Sequence, residues 1–344
     1  MNGLFSWHPV VLETAYSDLK RQAAEQTLLL SGTPGSVGVR EVNGRRFLYR
    51  QFYDPQGKKQ AEYLGSDEDP VDRSRAESSR EAIETTNALL TQARLLGRQG
   101  YARADRAATA VLTALARRGL FRAGAVLVGS HAYGCLLNDL GISAAAFRTG
   151  DVDIARRGPL GVHGTFQEIL AESLVPLTPI LGFDRKTPPS SYKAPGRDGL
   201  RVDLLAPTGG HDVKVVNVPE LSTHATGLPH LGYLLGESLD AIVLGREAVV
   251  PVRVPVPERY AWHKMLVSQL RTSTGEKRTK DLHQAAVIFA ALAEREPDAL
   301  APAFEAIGQK TKTRAGAMAV LSLLEKSPHE RGASLLREIV ASRP

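Results

Sequence analysis

Two aspartates stand two residues apart in the run Asp151-Val152-Asp153-Ile154. In a strand, residues i and i+2 share a face, so both carboxylates would converge with Val152 behind them. A carboxylate pair of this kind suits a divalent cation. Asp occurs 16 times in the chain and Asp67-Glu68-Asp69 repeats the spacing, so the pair gains meaning only from its surroundings. Upstream, Val126-Leu127-Val128 runs into Gly129-Ser130 and then a helix-like stretch to about Asp139. Backbone N–H groups at such a corner can hold an anion, and glycine lets a phosphate come close. Many such corners carry Gly-Ser for conformational reasons alone. Downstream, Asp203 sits in Arg201-Val202-Asp203-Leu204-Leu205 with apolar neighbours on both sides. A lone carboxylate buried there would be costly, so Asp203 needs a partner. If its strand lies beside that of Asp151 and Asp153, three carboxylates surround one cation-sized site, and bound cations relieve their repulsion.

An apolar strand, Gly-Ser, a helix, Asp-x-Asp and a later strand Asp, in that order, resemble the nucleotidyltransferase superfamily of the polymerase-β type. With h for an apolar residue, its motif is h-G-[GS], then D-h-[DE]-h, then a later h-[DE]-h. The 20 residues between Ser130 and Asp151 exceed the common interval, with 141–149 the expected insertion. The resemblance extends to a poorly characterised bacterial group within the superfamily, carried by GSHAYG with TGDVDIA, VPVPERYAWHKMLVSQLR, KRTKDLHQA and a basic-aromatic hairpin ending in YLG, over about residues 37–295. Toxin-type and abortive-infection-type relatives are similar in placing a Lys on one helix and a Lys-Asp pair on the next.

The resemblance implies an α+β fold: a small mixed-sheet catalytic domain with an N-terminal helix and β-meander and a C-terminal helical bundle. It implies transfer of an NMP from an NTP to an acceptor hydroxyl, with release of pyrophosphate. Asp151, Asp153 and Asp203 would be catalytic and hold two Mg²⁺ ions, or Mn²⁺. Gly129 and Ser130 would cradle phosphates, Lys264 and Lys280 would meet the triphosphate, Asp281 would hold a lysine in place, and Arg271 would support them. From the residues alone, Lys264 and Arg271 lie one or two turns apart on a helix opened by Pro257 and Glu258. Lys277, Arg278 and Lys280 open the next helix, an unfavourable place for cations unless an anion sits nearby. Plain surface lysines, and an Asp281 favoured by the helix dipole, are the competing readings.

Around these residues the chain divides into 1–70, 71–122, 123–256 and 257–344. Apolar spacing predicts a helix over 9–30, stopped by Ser31-Gly32. Asn43-Gly44 and Asp54-Pro55-Gln56-Gly57 predict a three-stranded meander over 36–65. Arg45, Arg46, Arg50, Lys58 and Lys59 among Phe47, Tyr49, Phe52, Tyr53 and Tyr63 would suit an RNA-facing sheet; the plainer expectation is an aromatic face packed inward and a charged face left wet. An acidic linker, 66–70, leads to helices over 74–96 and 103–118. Arg94, Arg98, Arg103, Arg106, Arg117, Arg118 and Arg122 have one nearby acid in sequence, Asp105, so this stretch is a candidate polyanion surface or a solvated face. Segment 123–210 alternates strands and helices, and helices follow at 257–271, 277–294, 297–309, 313–325 and 330–341.

The 344 residues are 43% apolar and 23% charged with a formal charge of +6, a globular composition. The single cysteine, Cys135, excludes an intramolecular disulfide and a cysteine metal cluster. The longest apolar run, 285–293, is too short to span a bilayer, and the N-terminus lacks a signal-peptide pattern, so the expectation is a cytoplasmic protein without a membrane partner. P-loop, HExxH and GxSxG motifs are absent from the sequence. The expected partners are an NTP, ATP among the candidates, and an RNA acceptor, tRNA included, reached through the Arg-rich helix and the basic-aromatic hairpin. A protein or small-molecule acceptor, a toxin-like role, a non-catalytic nucleotide- or RNA-binding protein of the same fold, and a DNA-binding regulator are the rivals.

Overall fold

The computed structural model describes residues 3–145, 150–180, 189–209, 212–271, 275–308 and 310–341. The chain opens with β1 (Phe5–Trp7) and α1 (Val10–Ala24). α1 ends earlier than its glycine stop suggested, because the Gln26 side-chain amide donates to the Ala23 carbonyl at 2.9 Å and lies 3.1 Å from that of Val249. This contact closes the helix and ties it to a distant strand. The meander follows as β2 (Ser36–Val42), β3 (Arg45–Tyr53) and β4 (Lys59–Ser66), antiparallel throughout. α2 (Pro70–Arg98) begins inside the acidic linker, with the Asp69 carboxylate accepting from Val71 N and Pro70 at the first turn, the expected cap chemistry.

The faces of the meander are reversed relative to the sequence-based expectation. Leu48, Arg50 and Phe52 point inward, and Leu48 and Leu64 pack on Ala76 of α2. Arg50 is 1% exposed. Its guanidinium donates to Glu62 at 2.8 Å and to the carbonyls of Ser31, Thr33 and Pro34, which satisfies its donors locally and takes it out of any RNA-facing set. The aromatic residues Phe47, Tyr49 and Tyr63 lie on the outer face.

α3 (Arg106–Arg117) is buried on every side from Ala108 to Ala116, so its arginines sit only at its ends and beyond. There, tertiary partners replace the missing local acids: Arg106 pairs with Glu247, Arg118 with Glu172, Arg117 with the Ser31 hydroxyl, and Arg103 with the Gly245 carbonyl. Asp105 caps α3 by accepting from Ala108 N. A continuous cationic helix face therefore does not form.

Next come β5 (Ala125–Val128), α4 (Gly129–Asp139), β6 (Ile142–Ala144), β7 (Asp151–Arg156), α5 (Phe166–Ala171), β8 (Thr178–Pro179), β9 (Ser191–Lys193) and β10 (Arg201–Thr208). β11 (Lys214–Val218), β12 (Thr223–Pro229), α6 (Leu231–Leu234), β13 (Ser238–Leu244) and β14 (Val249–Pro255) complete this region. The main sheet is mixed, in the order β11-β12-β10-β7-β5, with β9 also on β10. β6, within the expected insertion, pairs with β1; 146–149 lie outside the described residues.

The helical remainder comprises α7 (Pro257–Leu270), α8 (Gly275–Arg295), α9 (Leu300–Glu305), α10 (Lys310–Leu324) and α11 (Glu330–Ala341). Residues Ala285 to Ala293 of α8, the longest apolar run, are fully buried, so α8 is a central helix wrapped by its neighbours. No described helix is long and apolar enough to cross a membrane. One apolar cluster runs from Ala104 to Ile339. Close packing of α10 on α7 depends on Gly316, where a Cβ would lie 2.2 Å from the Met265 carbonyl oxygen. Gly316→Val is therefore expected to lower unfolding stability by about 2 kcal/mol or more, the scale of overpacking against a rigid backbone, as read by urea denaturation.

Candidate active site

β7 and β10 pair in parallel, with Asp153 opposite Asp203 and Asp151 opposite Arg201. β5 flanks β7 on its other side, with Val128 opposite Asp153. Asp151, Asp153 and Asp203 thus share one sheet face. Burial, then the charges of Asp203 and Asp151, push the Asp153 carboxyl up to about 6. Asp203 is held by its own strand and its neighbour: Arg201 Nε lies 2.9 Å from Oδ1, and the Ser191 hydroxyl of β9 bonds the same oxygen. Arg201 also reaches Ser191 Oγ at 3.1 Å.

Gly129 adjoins this centre. Its φ is +67°, and a Cβ would fall 2.2 Å from Asp153 Oδ2. Only glycine meets both conditions, a left-handed backbone and contact with a carboxylate. It opens α4, whose first-turn N–H groups are available to an anion. The Tyr260 hydroxyl of α7 donates to the Gly129 carbonyl at 3.0 Å and lies 3.1 Å from Gln284 Oε1 of α8, so the helical region clamps the turn.

Lys264 and Asp281, from successive helices, form a buried pair at 2.6 Å, and Arg271 Nε lies 2.5 Å from the other carboxylate oxygen. Burial opposes ionisation of Asp281, but Lys264 and Arg271 outweigh it and hold its carboxyl below the usual range. Lys264 is 8% exposed; its charge helps to offset Asp153. Burial, then Lys264, lowers the Lys280 ammonium, while Asp281, Asp151 and Asp153 pull it the other way. Lys280 therefore stands within electrostatic reach of the carboxylate centre. The candidates from both halves of the chain come together.

A cavity of about 1320 Å³ opens beside Ser130 and Asp151. Arg103, Arg106, Lys193, Arg197, Arg201 and Arg246 line it, against the carboxylates of Asp105, Asp151 and Asp198. His131 Nε2 and the Tyr133 hydroxyl, both on α4 and lining it, are buried without a hydrogen-bond partner among the described residues. Burial lowers the His131 imidazole, so the neutral ring is favoured. A basic, roomy cavity contiguous with a carboxylate centre can hold an anionic molecule against a reactive site.

Whether the three aspartates suit a divalent cation is a question of their donors. Among the described residues no three His, Cys, Asp or Glu side chains are gathered closely enough to form a metal cage, and Asp203 Oδ1 is engaged by Arg201 and Ser191. Burial raises the Asp153 pKa most, and the charges of Asp203 and Asp151 add to it; that added repulsion between hard oxygen donors is what a divalent cation relieves, beside a helix start suited to phosphate. The donor set fits.

A mixed sheet with carboxylates on adjacent strands, a glycine-opened helix against them and a basic cavity define a phosphoryl- or nucleotidyl-transfer fold. A sequence profile of a nucleotidyltransferase family matches residues 106–308, well over half of the chain, and the chain belongs to that family. A solved structure, an antigenic nucleotidyltransferase-like protein from Paracoccidioides brasiliensis, is similar at 15% identity over 67% of this chain and 92% of its own, with a TM-score of 0.32. No curated protein matches this chain at a significant level.

Arg201, Ser191 and Tyr260 escaped sequence reasoning. Arg201 precedes Asp203 by two residues, a spacing that puts both on one face, and this was the available signal; Ser191 and Tyr260 act across 12 and 131 residues and left none. In EDTA, Asp153→Asn is expected to raise the thermal midpoint. An acid whose pKa is raised on folding costs nothing below its ordinary value, near 3.8, and the cost is complete above about 6. The gain should grow across that window, to at most about 3 kcal/mol, as followed by calorimetry from pH 4 to pH 8.

Proposed function

We propose that this protein transfers an NMP from an NTP to an acceptor hydroxyl and releases pyrophosphate, with RNA as the acceptor. The parallel pairing that sets Asp203 beside Asp153, with Gly129 in contact with Asp153, carries the reading. Asp151, Asp153 and Asp203 would hold two divalent cations, Mg²⁺ or Mn²⁺. Bound there, the cations would supply Lewis-acid charge to the triphosphate and to the acceptor oxygen.

The chain's own groups do the rest. Gly129 lets the start of α4 close on the Asp153 carboxylate, and the N–H groups opening α4, with Ser130, orient the phosphate oxygens. Lys280 meets charge that accumulates on the leaving pyrophosphate, in a partly desolvated site where such charge counts most. Lys264, paired to Asp281 and flanked by Arg271, adds a fixed positive charge behind it. Tyr260 keeps the Gly129 turn in place. Asp203, relieved by Arg201, helps to accept the proton of the attacking hydroxyl. The basic cavity supports an anionic acceptor, and RNA presents both phosphates and hydroxyls.

Asp151→Ala and Asp203→Ala should each lower transfer by at least about 10³-fold, the scale of losing a principal charge-stabilising group, with thermal midpoints no lower than wild type. The assay follows α-labelled NTPs, each in turn, with total tRNA, bulk protein or no acceptor. Label entering RNA in wild type alone supports the proposal; wild-type rates in either variant would overturn the site, and label on protein would overturn the RNA acceptor.

A further inference from the structure

We propose that the outer face of the β2–β4 sheet is a docking platform for single-stranded RNA. In purpose it rests on the RNA acceptor reading, but binding can be measured without transfer.

The register places Arg40, Arg45 and Lys59 on this face with Phe47, Tyr49, Tyr53 and Tyr63. The two strand carboxylates, Glu41 and Glu62, belong to the opposite face, where Glu62 pairs with buried Arg50. The outer face thus carries cations and aromatic rings without a strand carboxylate. Tyr53 is 52% and Tyr63 56% exposed, while Phe47 and Tyr49 are half-buried. Tyr63 gathers the others, with ring centres 5.4 Å from Tyr49 and 6.1 Å from Phe47, and the Arg40 guanidinium lies 5.1 Å over Tyr49. Gly38, opposite Tyr49, has nothing within 4 Å of where a Cβ would be, so the space beside that ring is open.

Exposed tyrosines cost solvation without contributing to a core, whereas bases stack on such rings irrespective of sequence and nearby cations meet the phosphates. A duplex hides its bases, so this composition selects a single strand. Tyr53 and Lys59 flank the β3–β4 turn, and Asp54 of that turn is within electrostatic reach of Glu247, the ion-pair partner of cavity-lining Arg106.

The test is fluorescence anisotropy with a labelled 12-nucleotide RNA, its duplex and a matched DNA strand, at several salt concentrations. Wild type should bind the single-stranded RNA with a salt-dependent affinity and the duplex at least tenfold more weakly. Tyr49→Ala/Tyr63→Ala should weaken RNA at least tenfold, while Tyr49→Phe/Tyr63→Phe should retain wild-type affinity because stacking does not need the hydroxyl. Gly38→Glu, whose Cβ would have no atom within 4 Å, should weaken RNA to a similar degree at an unchanged thermal midpoint and covers the case in which the alanine variant fails to fold. Asp151→Ala should bind like wild type; RNA binding of this kind without transfer in any assay would uphold the platform while the transferase reading fails. Unchanged affinity in the alanine and glutamate variants, duplex bound as tightly as single strand, or DNA bound more tightly than RNA would overturn the platform.

Discussion

Parallel pairing of β7 with β10 forces Asp153 and Asp203 into adjacent register, with Asp151 on the same face. Burial raises the Asp153 carboxyl most, and the like charges of Asp203 and Asp151 push it further in the same direction. The surroundings are arranged around that constraint. Arg201 and Ser191 engage one oxygen of Asp203, Lys264 stands as fixed positive charge near Asp153, and Gly129 is drawn in until only a hydrogen fits against the carboxylate. The backbone hydrogen bonds of the ladder hold the three together, because no side chain could do so against their repulsion.

The helices of the C-terminal third then lock this centre in position. Tyr260 reaches the Gly129 carbonyl, Asp281 holds both Lys264 and Arg271, and α8, buried on all sides over 285–293, fixes the position of Asp281. Removing one partner of a buried ion pair costs far more than the pair contributes, so the Lys264–Asp281 contact constrains the relative placement of α7 and α8. Preorganised charge of this kind needs no rearrangement when charge develops during reaction.

Charge is distributed differently elsewhere. The arginines around α3 meet tertiary acids, a hydroxyl and a carbonyl, and two of them, Arg103 and Arg106, also line the cavity. The cavity keeps an excess of cations beside Asp151, and the outer face of the meander carries cations with aromatics. Cations thus gather in the cavity beside Asp151 and, separately, on the outer face of the meander.

Much of the local architecture was legible in the sequence. The strand and Gly-Ser corner at 126–130, the Asp-x-Asp strand, the Asn43-Gly44 hairpin and the C-terminal helices follow from periodicity, turn chemistry and capping within a few residues. What these residues do together was not legible. That β10 lies beside β7, that Asp281 takes both Lys264 and Arg271, and that Tyr260 reaches Gly129 are contacts between segments far apart in the chain. The meander shows the division most clearly: alternation divides β3 into two faces but does not say which one turns inward. Packing of Leu48 and Leu64 on α2 decided it, taking in Arg50 with Glu62 and three carbonyls as partners and leaving the tyrosines on the other face. Local spacing determines which residues share a face or a turn, whereas the free energy of burying one whole surface against another decides which face is covered and which distant charges meet.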